Sequence, residues 1–297
     1  MLTLAVASQS ETFERIREPL CARDIRVRHL RARERAVPLS SASAPWSPGD
    51  FDVGFVYPSR LMEGGVVDAV LSAGTDQFPW VNDREAVLTS RNKAGVLAAL
   101  AGAGLPVPQS VLVSNPVDED VLREVFRRFE PPVVVKPNST TRGVGVAKVD
   151  DLDSFLGVAD YLGLVHDYRA TGDKSFLVQE FVPNARDFRV MVLDGECVGA
   201  VERQLPADAR ASGQWKHNVH RGANASKTVI SDSIRDLAES TARVLDIPLL
   251  GVDFLVADGR TVITETNARP TIDEESKYED GFYDRLAALI RSRAADE

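Results

Sequence analysis

Cysteine is nearly missing from this sequence: Cys21 and Cys197 are the only two in 297 residues, far apart and outside any paired motif. That excludes a disulfide framework and a cysteine-based zinc site, and it fits a reducing compartment in which both residues serve packing. Long apolar runs are lacking too. None approaches the roughly 20 residues needed to span a bilayer, and Met1–Ala7 has no basic leader and reads as a first strand, so the expectation is a cytoplasmic protein with no membrane partner. An excess of positive charge is also absent. The formal net charge of -9 and pI near 5.1 argue against nucleic acid as a main partner.

What is present is the makeup of a soluble globular protein, 44% hydrophobic and 27% charged. At this length the chain buries a full core, as one large domain or as two to three smaller lobes. The first part alternates as strand Leu2–Ala7, helix from about Ser10, strand Ile25–Leu30, a Pro/Ser-rich loop at Pro38–Pro48, and strand Phe51–Tyr57. That order predicts a small α/β lobe with a parallel sheet. Arg15–Arg35 carries many Arg with Glu interspersed, which reads as a solvated face of mixed charge rather than an anion site. Ser90 reads as the N-cap of a helix Arg91–Ala103, with a new lobe beginning there. Further helices are expected near Glu119–Phe129, Asp151–Tyr161 and Asp232–Leu245.

The chemistry begins in Gly251–Pro270. β-branched and aromatic residues alternate on both sides of Asp258-Gly259, a strong hairpin signal, yet Asp253, Glu265 and Asn267 interrupt them. Register decides whether these three meet. A two-residue loop pairs Asp253 with Thr264 and throws Glu265 onto the other face. A three-residue loop, Asp258–Arg260, pairs Ala257 with Thr261, sets Asp253 opposite Glu265, and puts Asn267 on the same face; this second register is the expectation. Two carboxylates and an amide suit Mg2+, which takes the rest of its shell from water and substrate phosphates. The alternative is ordinary polar residues on a solvated sheet face.

A second constellation lies upstream. Val133–Val149 reads as a strand, a loop of small hydroxylated residues and glycines (Gly143, Gly145), and a second strand. Such a loop turns backbone N–H groups and hydroxyls toward phosphate oxygens. It is neither a P-loop nor a Rossmann turn, because Gly-Lys-Ser/Thr is missing and no helix follows. Lys136 ends the first strand, where a buried Lys needs an anionic partner. Phe176–Val182 is an apolar strand that stops at Pro183-Asn184, and its end could offer adenine backbone hydrogen bonds. It is followed by Asp187-Phe-Arg189.

Taken in order, these parts resemble the ATP-grasp superfamily, and within it the RimK-like carboxylate-amine ligases: Lys before a Gly-containing hairpin loop, Val-Gln-Glu-Phe-Val, Asp-x-Arg, His-Arg-Gly, then Asp and Glu-x-Asn on a terminal hairpin. The resemblance covers roughly residues 88 to 290. It implies an α/β (α+β) ATP-grasp fold: an N-terminal α/β lobe at 1–89, a central lobe at 90–178 and a C-terminal lobe at 179–297, the last two clasping ATP. It implies that Lys93 and Lys136 contact the phosphates, that the Ser139–Gly145 loop with Gly143 and Gly145 closes over them, and that Glu180, Phe181 and Val182 line the adenine site. Asp187 would hold the ribose. Lys216, His217 and Asn218 match the family's Arg-Ser-Asn nucleotide contact, with only Asn218 identical. Asp253, Glu265 and Asn267 match the metal ligands, for two Mg2+ ions with Mn2+ as an alternative.

The implied activity is an ADP-forming ligase that joins a small-molecule or peptide carboxylate to an amino acid, glutamate first, through an acyl phosphate. The resemblance also suggests a homo-oligomer. No nucleophilic side chain is required, since positioning and electrostatics dominate phosphoryl transfer. Arg189, Arg203 and Arg221 are the candidates for holding the acyl phosphate or substrate carboxylates, because the guanidinium fork pairs bidentately with such groups; a structural ion pair is the competing role for Arg203 above all. His217 and His220 lack further zinc ligands nearby, which leaves a general-base role toward the amine. After Asn267 the chain departs from the family's Ser-Pro-Gly type of segment with Ala268-Arg269-Pro270, and Arg269 beside the metals could bind an acidic substrate. A dipeptide ligase, a kinase and a non-catalytic ATP-binding regulator are the other readings.

Overall fold

The computed structural model describes residues 1–7, 10–30, 50–58, 78–140, 143–168, 174–219 and 222–295. The expected Pro38–Pro48 loop, Thr141, Arg142, His220 and Arg221 lie outside them.

Three sheets carry the described chain. The first is parallel, in the order β2 (Ile25–His29), β1 (Leu2–Val6), β3 (Val53–Phe55). Leu4 and Val6 point to one face, where Phe13, Ile16 and Leu20 of α1 (Ser10–Cys21) pack at helical spacing. Among the described arginines of this stretch, Arg15 pairs with Glu11 and Asp273, Arg17 with Glu14, Arg23 with Asp284 and Arg28 with Asp50, as on a mixed-charge face. Cys197 is buried packing, whereas Cys21 is exposed.

Ser90 does not begin a helix. α2 (Arg84–Arg91) is capped by Asp83, and Asn92 both ends it and caps α3 (Lys93–Gly102), its side chain accepting from the Gly95 N–H at 3.0 Å. Asn takes the cap because its side-chain carbonyl reaches an orphan N–H of the first turn. Ser90 is instead buried in the last turn of α2, where it accepts from the Ala268 N–H at 2.9 Å.

The central sheet is antiparallel, ordered β4 (Ser110–Val113), β7 (Phe176–Glu180), β5 (Val133–Pro137), β6 (Ala147–Val149), and is covered by α4 (Glu119–Phe126) and α5 (Leu152–Tyr168). After β8 (Arg186–Leu193) and β9 (Glu196–Gln204) comes the short α6 (Ala207–Ala211). The third sheet is also antiparallel, ordered β10 (Asn224–Lys227), β9, β8, β11 (Leu249–Ala257), β12 (Arg260–Asn267). Its Phe188, Val190, Val252 and Phe254 face a helical layer of α2, α3 and α7 (Asp232–Leu245). Strand alternation therefore turns Asp187, Arg189 and Asp253 to the opposite face. There the apolar end, Met191, Leu193 and Leu249, packs beneath the first sheet together with α8 (Phe282–Ala294). The polar end is left for the site.

The β11–β12 hairpin corrects the expected turn and keeps the expected pairing. Ala257 pairs with Arg260 across a two-residue turn, Asp258 and Gly259 both at positive φ (50° and 76°), the conformation that matches strand twist. Asp253 nonetheless pairs with Glu265, because the register shifts by one between Asp253 and Phe254. The extra residue is Thr264. In an unbroken strand Ile263 and Glu265, two apart, would share a face; the bulge keeps Ile263 in the core and turns Glu265 to the site.

Candidate functional site

Cations meet the polar face of the third sheet from two directions. Lys93, in the first turn of α3, is buried with its Nζ 3.5 Å from Glu265 Oε1, and it also donates to the Thr140 carbonyl. Lys136, at the end of β5, is buried and donates to Gln179 Oε1 at 3.0 Å and to the Thr264 carbonyl at 3.4 Å. Burial pushes its pKa down to about 8, with the Lys93 charge adding to the fall and Glu265 and Asp253 opposing it. Its direct partners are thus neutral, and its charge is balanced only at longer range.

The loop after β5 is tied to this cation pair. Asn138 accepts from the Ala94 N–H at 2.8 Å and donates to Asn92 Oδ1 at 3.1 Å, locking the start of α3 to the loop. Thr140 donates its hydroxyl to the Val144 carbonyl at 2.9 Å. Gly143 has φ 66°, and a Cβ there would stand 2.7 Å from Asn218 Oδ1, so only glycine lets the loop approach Asn218 this closely. Lys216, two residues before Asn218, donates to the Val146 carbonyl beyond Gly145.

Beside the loop, β7 ends at Glu180. Its carboxylate receives both Arg260 amino groups, at 2.6 and 2.8 Å, and the Gln109 N–H at 2.7 Å. Arg260 leads the causes that hold Glu180 below the usual carboxylate range. Phe181 meets Trp215 edge-on at 5.9 Å and lies under the Lys148 ammonium. Val182 follows, partly buried. These groups make an aromatic and cationic wall next to the glycine loop.

Between wall and hairpin runs a charge network. Arg189 grips Asp253 with two bonds, at 2.7 and 2.8 Å. Arg203 bonds Asp187 at 2.7 Å and lies 3.1 Å from the same Asp253, and His217 Nδ1 is 3.5 Å from Asp187. Burial works to raise the Asp253 pKa, but Arg189 and Arg203 outweigh it and hold the group ionised. Arg203 is raised, since Asp253 and Asp187 overcome its own burial.

A metal ion fits the donor set unevenly. Glu265 is 40% exposed in its side chain and Asn267 is partly buried, both with hard oxygens on the site face. Asn267 Oδ1 accepts from the Arg269 N–H at 2.9 Å, which aims the amide. Asp253 offers about four lone-pair directions, three of them facing Arg189 and Arg203. One remains for a cation. The set suits Mg2+, which binds few carboxylates and keeps other oxygen ligands.

The family description "RimK-like ATP-grasp domain" matches residues 90–284. This chain belongs to the RimK-like ATP-grasp family. Among the family's relatives, the probable alpha-L-glutamate ligase of Xanthomonas campestris pv. campestris (strain B100) is 30% identical over 194 residues, 65% of this chain and 62% of the relative. The protein of the same description from Halorhodospira halophila is 31% identical over 196 residues, 65% of this chain and 60% of that one. The match thus spans about three-fifths of these relatives. Solved structures share the fold along nearly the whole chain. The ATP-grasp ligase PsnB complexed with a minimal precursor has a TM-score of 0.66 at 18% identity, covering 99% of each chain. D-alanine–D-alanine ligase from Bacillus anthracis complexed with ATP scores 0.67 at 15%, covering 99% of this chain and 97% of that one. The RimK domain protein of Sphaerobacter thermophilus scores 0.66 at 20%, covering 98% and 99%.

Within this RimK-like fold, Lys93, Lys136, Glu265, Asp253, Arg189 and Arg203 share one crevice, and Arg221 lies outside the described residues. Sequence reading overlooked Gln179, Asn138, Asn92, Arg260 and Trp215. Gln179 left a trace as a polar residue closing an otherwise apolar strand. Arg260 left none, since its partner Glu180 lies 80 residues away.

Proposed function

We propose that this protein is an ADP-forming carboxylate-amine ligase that builds an amide bond through an acyl phosphate, with an amino acid, glutamate foremost, as the amine substrate. The observation that carries this reading is the convergence of Lys93 and Lys136 on a hairpin face bearing Asp253, Glu265 and Asn267, with a glycine loop packed against Asn218. In this reading segments 90–178 and 179–297 act as two lobes closing on ATP. Lys136 and Lys93 neutralise phosphate oxygens, Phe181 and Trp215 flank the base, and Asn218 holds the loop. Glu265 and Asn267, with the remaining lone pair of Asp253, would hold Mg2+, which would supply charge neutralisation at the transferring phosphoryl group.

A substrate carboxylate oxygen attacks the γ-phosphorus, and the bond to ADP breaks. The amine then attacks the acyl carbon, and inorganic phosphate leaves with the bonding electron pair. Arg189 and Arg203 keep Asp253 ionised throughout and set a positive field where the acyl phosphate forms. His217, oriented by Asp187, is placed to accept the amine proton.

The deciding experiment measures ADP release from ATP and Mg2+ across an amino-acid panel, each member tested with a pool of small carboxylates, with products read by mass. The expected result is amino-acid-dependent ADP release and an adduct one water lighter than the sum of its parts. A phosphorylated product without an amide would make the protein a kinase. Tight ATP binding with no ADP from any mixture would make it a nucleotide-binding regulator.

A further inference from the structure

Arg269 stands apart from the other buried or half-buried arginines. Arg203 and Arg189 answer carboxylates directly, as do the half-buried Arg15 and Arg235. Among the described residues no carboxylate pairs with Arg269. Its guanidinium donates to the Tyr57 carbonyl and, at 3.3 Å, to the Ala7 carbonyl. Arg269 is half-buried. Arg91, half-buried as well, donates through its Nε to the Ser139 carbonyl of the glycine loop at 3.3 Å. A guanidinium taken out of water without a carboxylate is costly, and carbonyl oxygens answer only part of its charge.

The location has its own significance. Ala7 follows β1 and Tyr57 follows β3, and in the order β2-β1-β3 the chain reverses direction across the sheet between these two strands. Arg269 therefore spans the carboxyl-end crevice at the topological switch point, where open parallel sheets bind ligands. Its own N–H holds Asn267 Oδ1, so the crevice adjoins the phosphoryl-transfer site. Two of the five guanidinium N–H groups meet the carbonyls, which leaves others to face an anion.

We infer that Arg269, with Arg91 beside it, binds a non-reacting carboxylate of an acidic substrate in the crevice between the first sheet and the β12 end. This deepens the proposed ligase reading by assigning a substrate class: either the amino-acid substrate is acidic, or the carboxylate substrate carries a second carboxylate. A fork that bridges strand ends and presents its remaining N–H groups selects a planar two-oxygen acceptor over a neutral amide.

The test is binding to the full chain with a non-hydrolysable ATP analogue and Mg2+, read by calorimetry, so it does not depend on turnover. The probes are L-glutamate, L-glutamine, glutarate and inorganic phosphate. L-Glutamate should bind at least tenfold more tightly than L-glutamine, and Arg269→Gln should remove that preference while ATP-analogue binding persists. Glutarate binding as tightly as L-glutamate places the site on the carboxylate substrate; binding of L-glutamate alone places it on the amine substrate. Equal binding of L-glutamate and L-glutamine by the unaltered protein, or binding of phosphate alone, overturns the inference without requiring any variant to fold. Amide formation lacking this preference would sink the acidic site and leave the ligase standing. L-Glutamate binding without any amide product would do the reverse.

Discussion

At the scale of single residues, the site trades stability for charge. Lys136 has a folded pKa near 8 against an ordinary 10.5, so between those values the unfolded chain binds more protons and stability rises with pH. Below about pH 8 the buried ammonium destabilises the ligand-free protein, by on the order of 3 kcal/mol for a shift of this size. Lys136→Met should therefore raise the denaturation midpoint at pH 7 and flatten the stability profile between pH 8 and 10.5. It should also weaken ATP–Mg2+ binding at least tenfold by calorimetry; unchanged affinity would remove Lys136 from the phosphate site. The two carboxylates of the hairpin should behave differently from each other. Asp253→Asn strips buried Arg203 and half-buried Arg189 of a shared counter-charge, and breaking such a buried pair costs on the order of 3 kcal/mol. Glu265→Gln alters a partly exposed group that faces Lys93 and should lower the urea midpoint by less. Both should abolish ATP turnover, and equal stability losses would contradict the network.

Elements decide what those residues face. The one-residue bulge at Thr264 lets a two-residue turn coexist with the Asp253–Glu265 pair, because it reverses the face of every residue that follows. Deleting Thr264 should give an unbroken ladder that still sets Ile263 opposite Phe254 and Glu265 opposite Asp253, so Mg2+-dependent ATP binding by calorimetry should persist; lost binding would show that the bulge itself is required. The glycine loop after β5 depends on Gly143 in the same local way. Gly143→Ala meets both a left-handed backbone and Asn218 Oδ1 at 2.7 Å, so the loop must shift off Asn218. ATP affinity should fall several-fold with a stability cost of about 1 kcal/mol, measured by calorimetry and urea denaturation.

At the scale of the whole molecule, the buried amide of Asn82 helps join the end of the first sheet to the third. Asn82 donates to the carbonyls of Leu249 at 2.6 Å and Ala268 at 2.5 Å and accepts from the Leu249 N–H at 3.1 Å. Asn82→Ala leaves three backbone groups of the hairpin base unsatisfied and should cost at least about 2 kcal/mol; a loss within error in urea denaturation would refute that role. The joint also places Arg269 across the ends of β1 and β3.

Much of this architecture was legible along the chain, since periodicity, turn chemistry and caps act over a few residues. The alternation of β1, α1, β2 and β3, the glycine hairpin of β5 and β6, and helix α7 at Asp232–Leu245 follow from local pattern alone. So does the suspicion that Asp253, Glu265 and Asn267 share a face. Ser90 misled because it has the chemistry of a cap, and its burial against Thr266 and Ala268, some 180 residues on, lies outside any local window. The same distance hid the Arg189–Asp253 grip, the Glu180–Arg260 pair and the seat of Arg269. The sequence by itself determined which charged groups the protein owns and the strands and loops that carry them. Only the tertiary structure decided which charges answer one another, because that depends on which strands lie side by side and which groups lose their water together.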